Sequence, residues 1–123
     1  MQGHTQEIDK NKPAFNIKKI YADAYQQESS AGGELYPAVN EAINNAVETG
    51  TLMLDYFGHG GVNGWAAERI LEIPQIQNWN NFNNLPLFVT VTCEFTRFDN
   101  PNRLSAGEFT LWNARGGTSH LIS

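Results

Sequence analysis

A thiol becomes an effective nucleophile when a neighbouring group takes its proton, and an imidazole is well matched to that task near neutral pH. The chain has one cysteine, Cys93, and three histidines, His4, His59 and His120. Cys93 follows the run Leu85-Pro86-Leu87-Phe88-Val89-Thr90-Val91-Thr92. His59 follows the run Thr51-Leu52-Met53-Leu54-Asp55-Tyr56-Phe57, within Tyr56-Phe57-Gly58-His59-Gly60-Gly61. Both runs read as interior strands, so the two side chains stand just where strands end. They lie 34 residues apart, about the length of one crossover connection. A thiol and an imidazole so placed are a cysteine nucleophile with its general base, the chemistry of acyl transfer. The glycines around His59 let backbone approach a substrate and free N–H groups to face a developing oxyanion. The backbone N–H groups of Gly60 and Cys93 are the expected oxyanion hole.

Plainer readings compete with this one. A lone cysteine after an apolar strand is commonly a small buried hydrophobe. A Gly-His-Gly-Gly turn alone also suits a tight turn, a metal contact or a phosphate nest. The coincidence of both features at matching strand ends favours the pair. His4, in a polar tail, and His120, at the far end, read as incidental. One histidine and one cysteine make an incomplete zinc set, so neither metal nor other cofactor is expected. A lipase-type hydrolase would need a Gly-x-Ser-x-Gly elbow and a Walker loop a Gly-Lys-Ser/Thr ending; neither occurs. Trp65, Trp79 and Trp112 read as core or pocket walls. A non-catalytic scaffold and a metal-dependent hydrolase remain as lesser alternatives.

The elements that must hold these residues alternate. Residues 16–21 read as a short strand and 26–33 as a polar loop. Tyr36, Val39, Ile43, Ala46 and Val47 recur at helical spacing, with Pro37 near the start and Gly50 just past the end. The strand through Phe57 carries one misfit, Asp55, which needs a partner if buried. A helical turn or two is expected over residues 65–71, and Pro74 opens a short helix through Trp79. The asparagines from Asn78 to Asn84 mark a loop before the second strand. After a long loop to Arg103, with Arg97 and Asp99 placed to pair, Ser105-Ala106-Gly107-Glu108 fits a capping box. The helix it starts should end near Asn113, before Gly116 and Gly117, and a further strand should begin. This order predicts an α/β fold, a parallel sheet flanked by helices, with ligands bound beyond the carboxyl ends of the strands.

Composition narrows the class. At 123 residues, 41% hydrophobic and 17% charged, the chain suits one folded domain. A net charge of −5 gives no basic field for nucleic acid. No apolar run reaches membrane-spanning length, and the first residues do not read as a signal peptide. The polar start and the abrupt last strand suggest a fragment of a larger protein, with a tail over residues 1–14 and a partial catalytic domain over 15–123.

Three segments carry a family resemblance: Lys19-Ile20-Tyr21-Ala22-Asp23-Ala24-Tyr25-Gln26, the His59 turn, and Thr92-Cys93-Glu94-Phe95-Thr96-Arg97-Phe98-Asp99, with residues 105–108 in the same pattern. The chain resembles the gingipain-like, caspase-fold cysteine peptidases, and among them the PorU-type signal peptidases, or sortases, of type IX secretion in Bacteroidetes. The resemblance implies a caspase-like fold with His59 and Cys93 as the catalytic dyad. It implies cleavage of C-terminal sorting domains from secreted protein substrates at the cell surface or outer membrane. It further implies anionic lipopolysaccharide as a possible acyl acceptor, and other secretion-system components as partners. Gingipains add an acidic residue that orients the histidine; Asp23, Glu34 and Glu68 are the candidates here.

Overall fold

The computed structural model describes residues 14–31 and 33–123. The polar tail expected at the N-terminus falls almost wholly outside them. The central sheet is parallel, in the order β3-β7-β8, where β3 is Met53–Phe57, β7 is Leu87–Val91 and β8 is His120–Ile122. Helices α1 (Pro37–Thr49), α2 (Ile73–Asn78) and α3 (Ala106–Trp112) fall between strands in sequence. The α/β class with a parallel sheet and flanking helices is therefore as the alternation predicted.

One core joins these layers. On α1, Val39, Ile43 and Val47 recur every fourth residue and are buried; burying each contributes roughly 1.5–3 kcal/mol. Proline sits in the first turn, where a missing N–H costs nothing. Gly50 ends the helix at φ 111°. The stripe meets Trp65, Leu71, Ile76, Trp79, Phe88 and Phe95. Phe88 and Thr90 are buried from the same face of the central strand, β7. The other face leaves Met53, Phe57, Val91 and Ile122 exposed. A polar seam binds α1 to α2: the Gln75 amide and the Trp79 indole N–H both donate to Asn44 Oδ1 at 2.8 Å.

Several elements differ from expectation. Among the described residues the strand ending at Phe57 is an edge strand rather than an interior one; Met53 and Phe57 are 52% and 59% exposed. Asp55 shares their exposed face and needs no buried partner. Residues 16–21 join no assigned strand; Ile20 packs against the core instead of pairing. The expected loop at 26–33 contains a hairpin, β1 (Glu28–Ser30) with β2 (Gly33–Leu35). Its residues alternate in neither polarity nor size, so no pattern announced it. The expected helical turn at 65–71 belongs to a small antiparallel sheet of β4 (Gly60–Gly61), β5 (Gly64–Trp65) and β6 (Leu71–Glu72). Left-handed Ala66 (φ 59°) and Arg69 (φ 54°) turn the chain there, which a helix could not accommodate. Trp65 and Trp79 are core residues as expected, but Trp112 is 66% exposed.

Candidate active site

The parallel register between β3 and β7 fixes where the two loops begin. Phe57 pairs with Val91, and the ladder's next bond runs from Gly58 N to Val91 O at 3.2 Å. His59 and Cys93 each stand two residues beyond the paired Phe57 and Val91, on adjacent strands. Both residues are exposed at the carboxyl end of the sheet. Neither the imidazole nor the thiol makes a hydrogen bond among the described residues. Bonds of this kind are often long before substrate binds.

Gly60 brings the loops into contact. A Cβ built on it would fall on Thr92 Oγ1, 3.1 Å from Thr92 Cγ2 and 3.2 Å from the Cys93 carbonyl oxygen. Only a residue without a side chain lets the two main chains come this close. Ala66 N donates to His59 O at 2.7 Å, which makes Gly60 and Trp65 a non-hydrogen-bonded pair of the antiparallel ladder. The Gly60 N–H therefore points away from β5. Cys93 N makes no hydrogen bond among the described residues, because the β3–β7 ladder ends at Gly58.

Beneath the loops an aromatic cluster joins them. Trp65, beyond His59, stacks on Tyr56 at 4.2 Å with planes 9° apart. It also tilts against Phe95, beyond Cys93, at 5.5 Å. The start of α3 holds both loops as well. Ala106 N donates to Val62 O at 2.7 Å, and Gly107 N to Phe95 O at 2.8 Å. These are two of the four N–H groups that a helix start leaves unpaired. The start is itself set by the capping box: Glu108 Oε2 accepts from both Ser105 N and Ser105 Oγ at 2.7 Å. Arg103 donates to Asn63 Oδ1 at 2.6 Å, a further tie to the histidine loop.

Around Cys93 the charges pair as the sequence suggested, with one addition. Arg97 lies 3.4 Å from Asp99 and 3.5 Å from Glu94, which follows the cysteine at φ 51°. A cavity of about 420 Å³ opens beside His59, lined among others by Gly61, Asn63, Trp65, Arg69 and Glu72. Arg69 and Glu72 form an ion pair of 3.6 Å there. Of the acidic candidates, Asp23 sits exposed in a 3-10 turn (Ala22–Ala24), and the Glu34 side chain lies outside the described residues. Glu68 acts on the Tyr56 hydroxyl, which burial first and the Glu68 charge second push up from 10.0 to about 12. Neither Asp23 nor Glu68 bonds to the His59 imidazole among the described residues. His120 is an exposed residue of β8, away from this end of the sheet.

Sequence reasoning gave no part in the site to Tyr56, Thr92 or Phe95; Trp65 it read as a core or pocket wall, which it is. Tyr56 and Leu54 share a strand face by their spacing, the one signal that could have placed Tyr56 inward.

The chain belongs to peptidase family C25, whose sequence model matches residues 1–123, and the family is one of cysteine peptidases. No curated protein and no solved structure matches the chain.

Proposed function

We propose that the chain supplies the dyad of a cysteine endopeptidase, with Cys93 as nucleophile and His59 as base. The observation that carries this is the register: on neighbouring parallel strands, imidazole and thiol follow the paired Phe57 and Val91 by the same two residues. His59 takes the thiol proton, and Cys93 Sγ bonds to the carbonyl carbon of the scissile peptide. The N–H groups of Gly60 and Cys93 receive the oxyanion; losing one such donor typically costs roughly 3 kcal/mol of barrier stabilisation. As the C–N bond breaks, His59 returns the proton to the leaving amine and a thioester remains on Cys93. Water or an incoming amine then attacks the thioester, His59 again taking a proton, and the thiol is regenerated.

Within the family, the likeness of the His59 and Cys93 segments to PorU-type sortases supports a narrower reading. The substrate is the C-terminal sorting domain of type IX secretion cargo. The acceptor is an amine on anionic lipopolysaccharide, and the place of action is the cell surface or outer membrane, beside other secretion components. Residues 15–123 then form part of the catalytic domain. A protein including this chain, incubated with such cargo with and without the lipopolysaccharide, tests it by mass spectrometry. A cleaved product one water heavier than the acyl fragment means hydrolysis, and one heavier by the acceptor means transfer. Both should vanish with Cys93→Ala. Cargo left intact by a folded protein would reject the sorting role, and general peptides left intact as well would favour a catalytically silent scaffold.

A further inference from the structure

The His59 main chain is held more tightly than its exposed side chain suggests. Its carbonyl accepts two hydrogen bonds, from Tyr56 Oη and from Ala66 N, both at 2.7 Å. The first reaches back over three residues and needs a gap at Gly58. A Cβ there would stand 2.6 Å from the Tyr56 hydroxyl and 3.0 Å from the ring carbon that bears it. The second comes from a residue in the left-handed region, a conformation that persists only where its surroundings enforce it. The Tyr56 ring cannot swing away, because it lies flat on Trp65, which is 1% exposed and packs in turn against Phe95. One side chain thus fixes the histidine's carbonyl and rests on the ring that contacts the cysteine loop.

We propose that Tyr56 is a positioning residue for the reaction: its hydroxyl anchors the His59 carbonyl so that the imidazole is presented to Cys93. The proposal rests on the His59–Cys93 reading above. Tyr56 touches no substrate in this account; it acts through the histidine. The hydroxyl remains a donor throughout any ordinary assay range, since its proton leaves only near pH 12.

Tyr56→Phe isolates the effect, because the stacked ring stays and only the hydroxyl goes. The rate of Cys93 alkylation by iodoacetamide is measured against pH for the wild-type chain, Tyr56→Phe and His59→Ala, with thermal melts alongside. The expected result is that, of the three proteins, the wild type reacts fastest near neutral pH. Tyr56→Phe should be slowed there by about tenfold toward the His59→Ala rate, as a sub-ångström misplacement implies. Its melt should stay close to wild type. A Tyr56→Phe profile that overlays wild type while His59→Ala is slow would overturn the positioning role and leave the dyad standing. Equal profiles for wild type and His59→Ala would overturn the dyad, and the positioning role with it.

Discussion

Gly60→Ala should separate the two loops, and its effect can be worked from the structure. The added methyl falls on Thr92 Oγ1, within 3.1 Å of Thr92 Cγ2 and 3.2 Å of the Cys93 carbonyl. Thr92 Oγ1 is buried with no hydrogen-bond partner among the described residues, so the hydroxyl has no bond there to lose by turning, but its Cγ2 stands in the way. Relief must come from β4 moving away from the end of β7. Overpacking of this kind typically costs about 1–3 kcal/mol of stability. A shift of about 1 Å between reacting groups is enough for a hundredfold loss of rate. Gly60→Ala should therefore lose about that much stability and about a hundredfold in kcat/KM. Thr92→Ala removes both atoms of the threonine clash and leaves the 3.2 Å approach to the Cys93 carbonyl, which a shift of a few tenths of an ångström relieves. The double variant should then recover much of both losses. Urea unfolding and peptide turnover across the four proteins give the coupling, expected well above about 0.5 kcal/mol. Losses that simply add, or a harmless Gly60→Ala, would refute the idea that close approach at Gly60 sets the site.

Other expectations follow from the same contacts. Ser105→Ala removes the hydroxyl on Glu108 and should cost about 1–2 kcal/mol in urea unfolding. Because α3 holds Val62 and Phe95, turnover should fall with it; unchanged turnover would mean the helix start does not position the loops. Tyr56 gives up its proton near pH 10 when unfolded but only near 12 when folded. Its contribution is complete below pH 10 and is lost as pH rises towards 12. Melting over that window should therefore fall less steeply in Tyr56→Phe than in wild type, and equal slopes would contradict the assignment. Arg97→Ala breaks two exposed ion pairs and should change stability by less than about 1 kcal/mol. A larger loss, or a changed rate of Cys93 alkylation, would show that the pairs shape the cysteine loop.

Much of the frame was legible because it depends on local signals. The four-residue recurrence of Val39, Ile43 and Val47, with Pro37 before and Gly50 after, specifies α1 without reference to anything distant. Ser105 and Glu108 mark the start of α3 in the same way, and the apolar run before Cys93 marks the central strand. The parts that failed depend on tertiary contact. Strands of two residues such as Gly60–Gly61 have no period to detect; β5 exists because Trp65 is drawn into the core by Tyr56 and Phe95. The β1–β2 hairpin has only three residues a side with no alternation of polarity, and β3 looks interior in composition yet has one face in solvent. In the candidate site, residue type and strand end singled out His59 and Cys93, the pair proposed to react. Their neighbours Tyr56 and Thr92 look like ordinary strand residues and become visible only through the hydroxyl on the His59 carbonyl and the bare surface of Gly60.

The central claim is that His59 and Cys93 act as one unit. Its most direct test is kcat/KM for peptide cleavage by the wild-type chain, His59→Ala, Cys93→Ala and the double variant, each confirmed folded. The expected result is a loss of about 10²–10⁴ from His59→Ala and no turnover from Cys93→Ala. The double variant should be no worse than Cys93→Ala alone, since a second deletion in a broken unit removes nothing further. A His59→Ala protein that cleaves at the wild-type rate, or a Cys93→Ala protein that still cleaves, would contradict it.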